Sequence, residues 1–342
     1  MIEFGSDFHF VNNYQIHRAH LTDVYGGAWW IADGRQAIIM LCRQEGWKRL
    51  WMPEYFCYEV IDSVKKMTDT EIVFYEDYPG NNDRKVTSAL PYKDGDALLR
   101  VNYFGLRDFR NNRDIPVPVI EDHTHDLMGH WSLYSEADWC FASLRKTLPL
   151  PEGGMIWSPK GNSLEYVPDC SEENSQITRI RWEAMEKKTC YLEGKSIEKE
   201  TFRKLYLETE PWFDQAEPSA LDNRSKSFIQ EMDINAWQNA KRRNWNLLKQ
   251  QVRTRGSILT VEDDSCTPFS FVILAESNIK REEWRKQLIS QCVYPAVLWN
   301  VPRDCRPTVN DISDRMLSIH CDGRYSEEDC MQLAGILNEI LE

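Results

Sequence analysis

The chain has 342 residues, 42% hydrophobic and 12% aromatic, which suffices for a large core and two domains and excludes long disorder. Its formal charge of −13, from 41 basic and 54 acidic residues, argues against a generic binder of nucleic acid or anionic membrane, because phosphate contacts need clustered Lys and Arg. Ten scattered cysteines without a CxxC pair read as reduced thiols of a cytoplasmic protein, and the sequence shows neither an export signal nor an apolar run of membrane length.

Residues 1–33 place Phe8, Phe10, Tyr14, Tyr25, Trp29 and Trp30 among polar residues. This is an arm that either covers the main sheet or reaches a second subunit. Gly34 then opens a helical pattern through Ala37, Ile38, Leu41 and Cys42 that stops at Gly46. The free N–H groups of its first turn suit an anion, although a capping glycine is the blander reading. A strand at 49–52 ends on Pro53, a helix is expected over 54–67, and further strands at 71–75, 96–101, 116–121 and 137–142. The connections are long enough for crossovers, so the expected fold class is α/β with a mostly parallel sheet. Residues 171–255 are charged and helical in pattern, with one long helix expected over 229–252. After Gly256 a smaller α/β unit follows, with strands at 258–261, 269–274 and 316–320 and helices at 280–291 and 326–341. The division is therefore an arm, large domain and linking helix over 1–255, and a small domain over 256–342.

The chemistry concentrates at strand ends. Asn102 follows one strand, Asp122 ends the next, and Ser143 ends a third with Lys146 three residues on. In open α/β sheets ligands sit beyond the carboxyl ends of the strands, so this acid and this amine face one small molecule. Pyridoxal phosphate asks for such a pair, since its aldehyde takes a lysine and its ring nitrogen needs a carboxylate. Singly, Lys146 reads as a surface lysine and Asp122 as a turn acid. A metal cluster of Asp122, His123, His125, Asp126 and His130 is disfavoured, because alternate side chains diverge and no i, i+4 histidine pair is present. The combination of Gly34, Asn102, Asp122, His125, Ser143 and Lys146 raises the cofactor reading above these alternatives.

The stretches EFGSDF, ADGRQAI, MPEYFCYEV, VNYFG, VIEDHTHD, FASLRKTLPLPEGGMI, LWN and RMLSIHCDGRYSEEDC carry a resemblance over most of the chain. It resembles the DegT/DnrJ sugar aminotransferases, pyridoxal-phosphate enzymes of fold type I with an aspartate-aminotransferase-like large domain. The resemblance implies that Lys146 bonds covalently to the cofactor, Asp122 partners its ring nitrogen and His125 lies near its phenolic oxygen. It places Ser143 and the turn at Gly34, Arg35 and Gln36 on the phosphate, and for the aromatic that stacks on the ring it offers Phe56, Cys57 or Tyr58, with Tyr58 preferred; Asn102, at its strand exit, turns towards the same crevice. The sequence departs from the family in the short gap between Ser143 and Lys146, and in Arg35 and Gln36 where a small hydroxyl residue is common. The implied activity is transfer of an amino group from glutamate to a nucleotide-linked keto-sugar by a homodimer. Arg303, Arg306, Arg324 and Tyr325 are the candidate substrate groups. Another reaction of the same cofactor, or a non-catalytic homologue acting as partner or sensor, is the alternative.

Overall fold

The computed structural model describes residues 2–11, 14 and 19–342; residues 1, 12, 13 and 15–18 of the expected arm lie outside the described residues. β1 (Phe4–Gly5), α1 (Leu21–Val24) and β2 (Trp29–Ile31) come first. α2 (Gly34–Glu45) ends at Gly46, whose φ of 62° is a left-handed conformation open to glycine without strain. The chain then alternates through β3 (Arg49–Pro53), α3 (Tyr58–Met67), β4 (Glu71–Tyr75) and β5 (Asp96–Val101). A tight turn, Tyr103–Gly105, and the loop over 106–118 lead from β5 to β6 (Val119–Asp122). α4 (His130–Leu133), β7 (Trp139–Ser143), α5 (Leu144–Thr147) and β8 (Gly154–Trp157) follow.

These strands form one seven-stranded sheet of order β2-β8-β7-β6-β5-β3-β4. The five from β7 to β4 run parallel, β8 runs antiparallel to β7, and β2, antiparallel to β8, returns to the direction of the five. β5, β6, β7 and β8 are buried along their whole length, as expected of central strands covered on both faces. Parallel pairing puts the ends of β3, β5, β6 and β7 on one edge of the sheet. That edge carries the site.

Four helices come next: α6 (Glu172–Leu192), α7 (Lys199–Phe213), α8 (Asn223–Glu231) and α9 (Ile234–Gln251). The single helix expected over 229–252 is two helices, because Asp233 accepts the N–H of Ala236 at 2.9 Å and caps a new one. The remainder comprises β9 (Ser257–Ile258), β10 (Phe271–Leu274), α10 (Asn278–Ser290), β11 (Val293–Tyr294), α11 (Pro307–Arg315), β12 (Met316–Ile319) and α12 (Glu327–Leu341). β12, β10 and β9 make a small antiparallel sheet. β1 pairs in parallel with β11, and the Tyr325 hydroxyl accepts the N–H of Gly5 at 2.8 Å. The first strand thus belongs spatially with the last unit. Among the described residues no helix is long and apolar enough to cross a membrane.

Candidate active site

Asp122 stands in register with Val101 on one side and Phe141 on the other. Its Oδ1 accepts the N–H of Thr124 at 2.8 Å, and burial pushes its carboxyl above the ordinary value. A buried acid with so few donors gains from a cation beside it. Asn102 donates its backbone N–H to the Asp122 carbonyl at 3.0 Å. Its side-chain amide is buried, and neither polar atom has a hydrogen-bond partner.

His125 sits in a stack of rings. Phe269 lies 4.4 Å away, Phe104 5.2 Å and Trp299 5.8 Å, all within 26° of parallel. Its Nδ1 accepts the N–H of Phe104 at 2.9 Å, an arrangement that leaves the proton of the neutral ring on Nε2. Phe104 itself has φ 54°, a left-handed conformation unfavourable for a phenylalanine. Burial first, then the charges of Lys241 and Lys146, hold His125 down at about 3. The imidazole is therefore a neutral donor at physiological pH.

Lys146 stands on the one-turn α5. Its side chain is exposed to water, yet its amine is held below the ordinary lysine value, first by the neighbouring Arg145 guanidinium and then by lost solvation. α9 grips the turn from behind: the Trp237 indole donates to the Thr147 carbonyl at 3.0 Å, and the Lys241 ammonium donates to the Thr147 hydroxyl at 3.1 Å. Trp237 and Lys241 are four residues apart, hence on one helix face. Lys241 also lies 5.8 Å from the centre of the Phe269 ring that stacks on His125.

The phosphate-turn candidates are more divided. An added Cβ on Gly34 would fall 2.6 Å from the Ser143 Cβ, so only glycine lets α2 press against the end of β7. The Ser143 hydroxyl donates to Asp33 at 3.2 Å. Arg35 pairs with Asp33 and Asp214. The Gln36 amide brackets the 217–219 segment, donating to the Glu217 carbonyl and accepting the Ser219 N–H.

Tyr58 packs on Phe74 at 5.9 Å, and its hydroxyl lies between the Glu54 carbonyl and the Cys305 thiol. Its neighbour Cys57, whose thiol burial pushes up to about 11, is among the groups around Lys146, after Arg145, Glu210 and Asp33. Arg324 is clasped by Asp322 at 2.8 and 2.9 Å and stacks on Phe8, and Tyr325 is tied to the first strand. Among the described residues no contact joins either to the strand-end groups. Arg303 pairs with Asp314, and Arg306 with Glu54 just past β3.

Of the five residues weighed as a metal cluster, His125 is in the ring stack and His130 packs on Tyr134 and Phe109. Glu121, His123 and Cys140 do lie within 4.8 Å of one another, fully buried. Glu121 holds His123 at 3.2 Å and the Ser135 hydroxyl at 2.6 Å, which makes this a hydrogen-bonded network under the sheet. A cavity of about 520 Å³ borders the Tyr103–Arg107 loop, lined also by Gly80, Arg84, Leu259 and Glu262. It does not include Lys146.

The seven-stranded, mostly parallel sheet with a smaller C-terminal unit is the α/β fold shared by aminotransferases of fold type I. No protein-family profile and no curated protein matches the chain, but solved structures do. A DegT DnrJ EryC1 StrS aminotransferase from Brucella abortus is similar over 94% of this chain and 88% of its own, with TM-score 0.59 and 15% identity. The PMP-form of the putative sugar aminotransferase Spr1654 from Streptococcus pneumoniae is similar over 99% and 98%, with TM-score 0.69 and 10% identity. DesI, solved in the presence of its TDP-sugar product, is similar over 93% and 82%, with TM-score 0.61 and 13% identity. At these identities the shared property is the fold.

Proposed function

We propose that the chain is a pyridoxal-phosphate-dependent aminotransferase acting on a nucleotide-linked keto-sugar, with glutamate as amino donor. The observation that carries this is the convergence of Asp122, His125 and Lys146 on one sheet edge. The unpartnered amide of Asn102 and the buried acid of Asp122 fit a bound heterocycle. When bound, the cofactor supplies an aldehyde for amines and a ring that draws electrons from the adjacent carbon. Lys146, with its amine below the ordinary range, is the nucleophile and the group that moves a proton. With the cofactor bound, Asp122 would keep its ring nitrogen protonated, and His125, whose Nδ1 accepts from Phe104, would have its Nε2 proton to donate to the phenolic oxygen. The sugar substrate rests on the fold neighbours, among them a protein solved with its TDP-sugar product.

The test is to add pyridoxal phosphate, trap with borohydride and map the labelled peptide, then add glutamate and follow the visible band. Label on Lys146 and loss of the band with glutamate are expected. Label elsewhere, or a band indifferent to every amino acid while Lys146 carries the cofactor, defeats the aminotransferase reading. The protein is further proposed to be cytoplasmic and a homodimer; light scattering at micromolar concentration that reports a monomer rejects the dimer.

A further inference from the structure

The hydrogen-bonded network of Glu121, His123 and Cys140 is assembled by backbone pairing. Glu121 and Cys140 are partners in the ladder between β6 and β7. His123 comes two residues after Glu121 on a chain that continues the ladder, its N–H donating to the Phe141 carbonyl at 2.9 Å. Residues two apart on a strand share a face of the sheet, and ladder partners stand side by side on it. Asp122, between the two, belongs to the opposite face. A carboxylate, an imidazole and a thiol therefore meet at one spot behind the strand ends.

Their spacing and chemistry fit a single ion. His123 Nε2 lies 3.2 Å and Cys140 Sγ 4.0 Å from Glu121 Oε2, and all three ligand atoms lie within 4.8 Å of one another. Ligands bound to zinc at about 2.0–2.3 Å in a tetrahedron stand about 3.3–3.6 Å apart, so side-chain rotations that move these atoms by about 1 Å close the set. The three side chains are fully buried, where unbalanced charge is costly, and a carboxylate with a thiolate balances a dication. Arg100 reaches Glu121 through Asn112 at 2.6 and 3.3 Å, and Asp138 lies on the Cys140 side. Sulfur, nitrogen and oxygen donors together suit zinc, whereas calcium and magnesium take oxygen ligands. The Ser135 hydroxyl, 2.6 Å from Glu121 Oε2 and 3.2 Å from Cys140 Sγ, stands at the fourth side, on a residue only half-buried. A further observation concerns the imidazole, whose Nδ1 is buried without a hydrogen-bond partner. The proton now shared between Nε2 and Glu121 can pass to Nδ1 without breaking a bond there.

We propose that Glu121, His123 and Cys140 form a structural zinc site, with the Ser135 hydroxyl on its fourth side. On binding, the Cys140 thiol releases its proton to solvent and its sulfur bonds the ion. The His123 proton moves from Nε2 to Nδ1, and Glu121 exchanges its hydrogen bond with His123 for the ion. The ion ties β6 to β7 one residue behind Asp122. The site does not rest on the proposed function.

The experiment takes the full chain, expressed without a metal-binding tag and purified without chelator, and measures its zinc content. The metal is then removed, and the chain is titrated with Zn²⁺ and with Co²⁺, spectra being read as differences from the metal-free protein. About one zinc per chain is expected, and Co²⁺ is expected to show the intense visible bands of a tetrahedral ion with a thiolate charge-transfer band in the near ultraviolet. Cys140→Ala removes the charge-transfer band. Ser135→Ala keeps that band but weakens zinc binding by about 10–100-fold, the usual effect of losing a group that supports the ligands. Where Cys140→Ala does not fold, Ser135→Ala decides: weakened binding supports the site, and unchanged affinity counts against it. Absence of a thiolate band on adding Co²⁺ overturns the proposal, whether or not zinc accompanied the protein. A Co²⁺ spectrum that Cys140→Ala leaves unchanged also overturns it, because the ion then sits on other residues.

Discussion

Glu152, between α5 and β8, offers a prediction about stability whose size follows from its surroundings. The side chain is completely buried. One oxygen accepts the N–H of Asp222 at 2.8 Å. The other has no partner, and Asn174 and Thr178 stand near it with their own oxygens unpaired. Burial lifts the acid from 4.5 to about 7. Between those two values the folded chain holds a proton that the unfolded chain has released, so this contribution to stability is fully present below pH 4.5 and is lost as pH rises through 7. At about 1.4 kcal/mol per pH unit the interval corresponds to about 3 kcal/mol. Glu152→Gln imitates the protonated acid, accepting from Asp222 and donating to the unpaired oxygen of Asn174 or Thr178. The variant is expected to match the unaltered protein at pH 5 and to exceed it by about 2–3 kcal/mol at pH 8.5. Urea unfolding followed by tryptophan fluorescence at both pH values reads the difference. A gap between the two proteins that does not change with pH refutes the reasoning.

Asp122→Asn is expected to leave a folded protein that binds pyridoxal phosphate but turns over more slowly by on the order of a hundredfold, since an amide cannot hold a proton on the ring nitrogen; near-normal turnover counts against the assignment. His125, held at about 3, should show no titration of its ring signals by NMR between pH 5 and 9. Because its folded value lies below 6.5, its effect on stability is a loss that grows as pH falls from 6.5 toward 3. Thr147→Val removes the acceptor of Lys241 while keeping the shape of the turn, and should slow reaction of Lys146 with pyridoxal phosphate while Lys241→Arg retains most of the rate. Equal rates in all of these proteins would show that the grip of α9 on α5 does not position the amine.

The strand ends were legible in the sequence because they depend on local pattern. The strands expected at 71–75 and 96–101 coincide with β4 and β5, and Asp122, Ser143 and Lys146 leave the sheet edge as their apolar runs indicated. What was not legible depends on long-range contact. Lys241 and Trp237 reach Thr147 across more than ninety residues in one case and ninety in the other, and nothing in the periodicity of α9 marks a lysine on its buried face. Asp33 and Glu210 became part of the site only through the arginines they meet. The MPEYFCYEV segment left several side chains open as the one nearest the cofactor. The turn after β3 directs Tyr58 to Cys305 and Phe74, while its neighbour Cys57 lies among the groups around Lys146.

The pairing of β1 with β11 bears on how the chain is made. Phe4 leaves the ribosome 289 residues ahead of Val293, its partner in the ladder. At 5–20 residues per second the first strand waits on the order of 15–60 s for its partner. During that time Phe4, which ends up buried beside Tyr325 at 5.2 Å, has no native site, because that site is built from residues not yet synthesised. The large sheet has all its strands by Trp157 and is free to form earlier, so the C-terminal unit is completed by a segment that has been outside it throughout translation. An extension fused to the N-terminus therefore acts at the far end of the sequence: it burdens the closing of the last unit while leaving the strands that carry Asp122 and Lys146 to assemble on their own schedule.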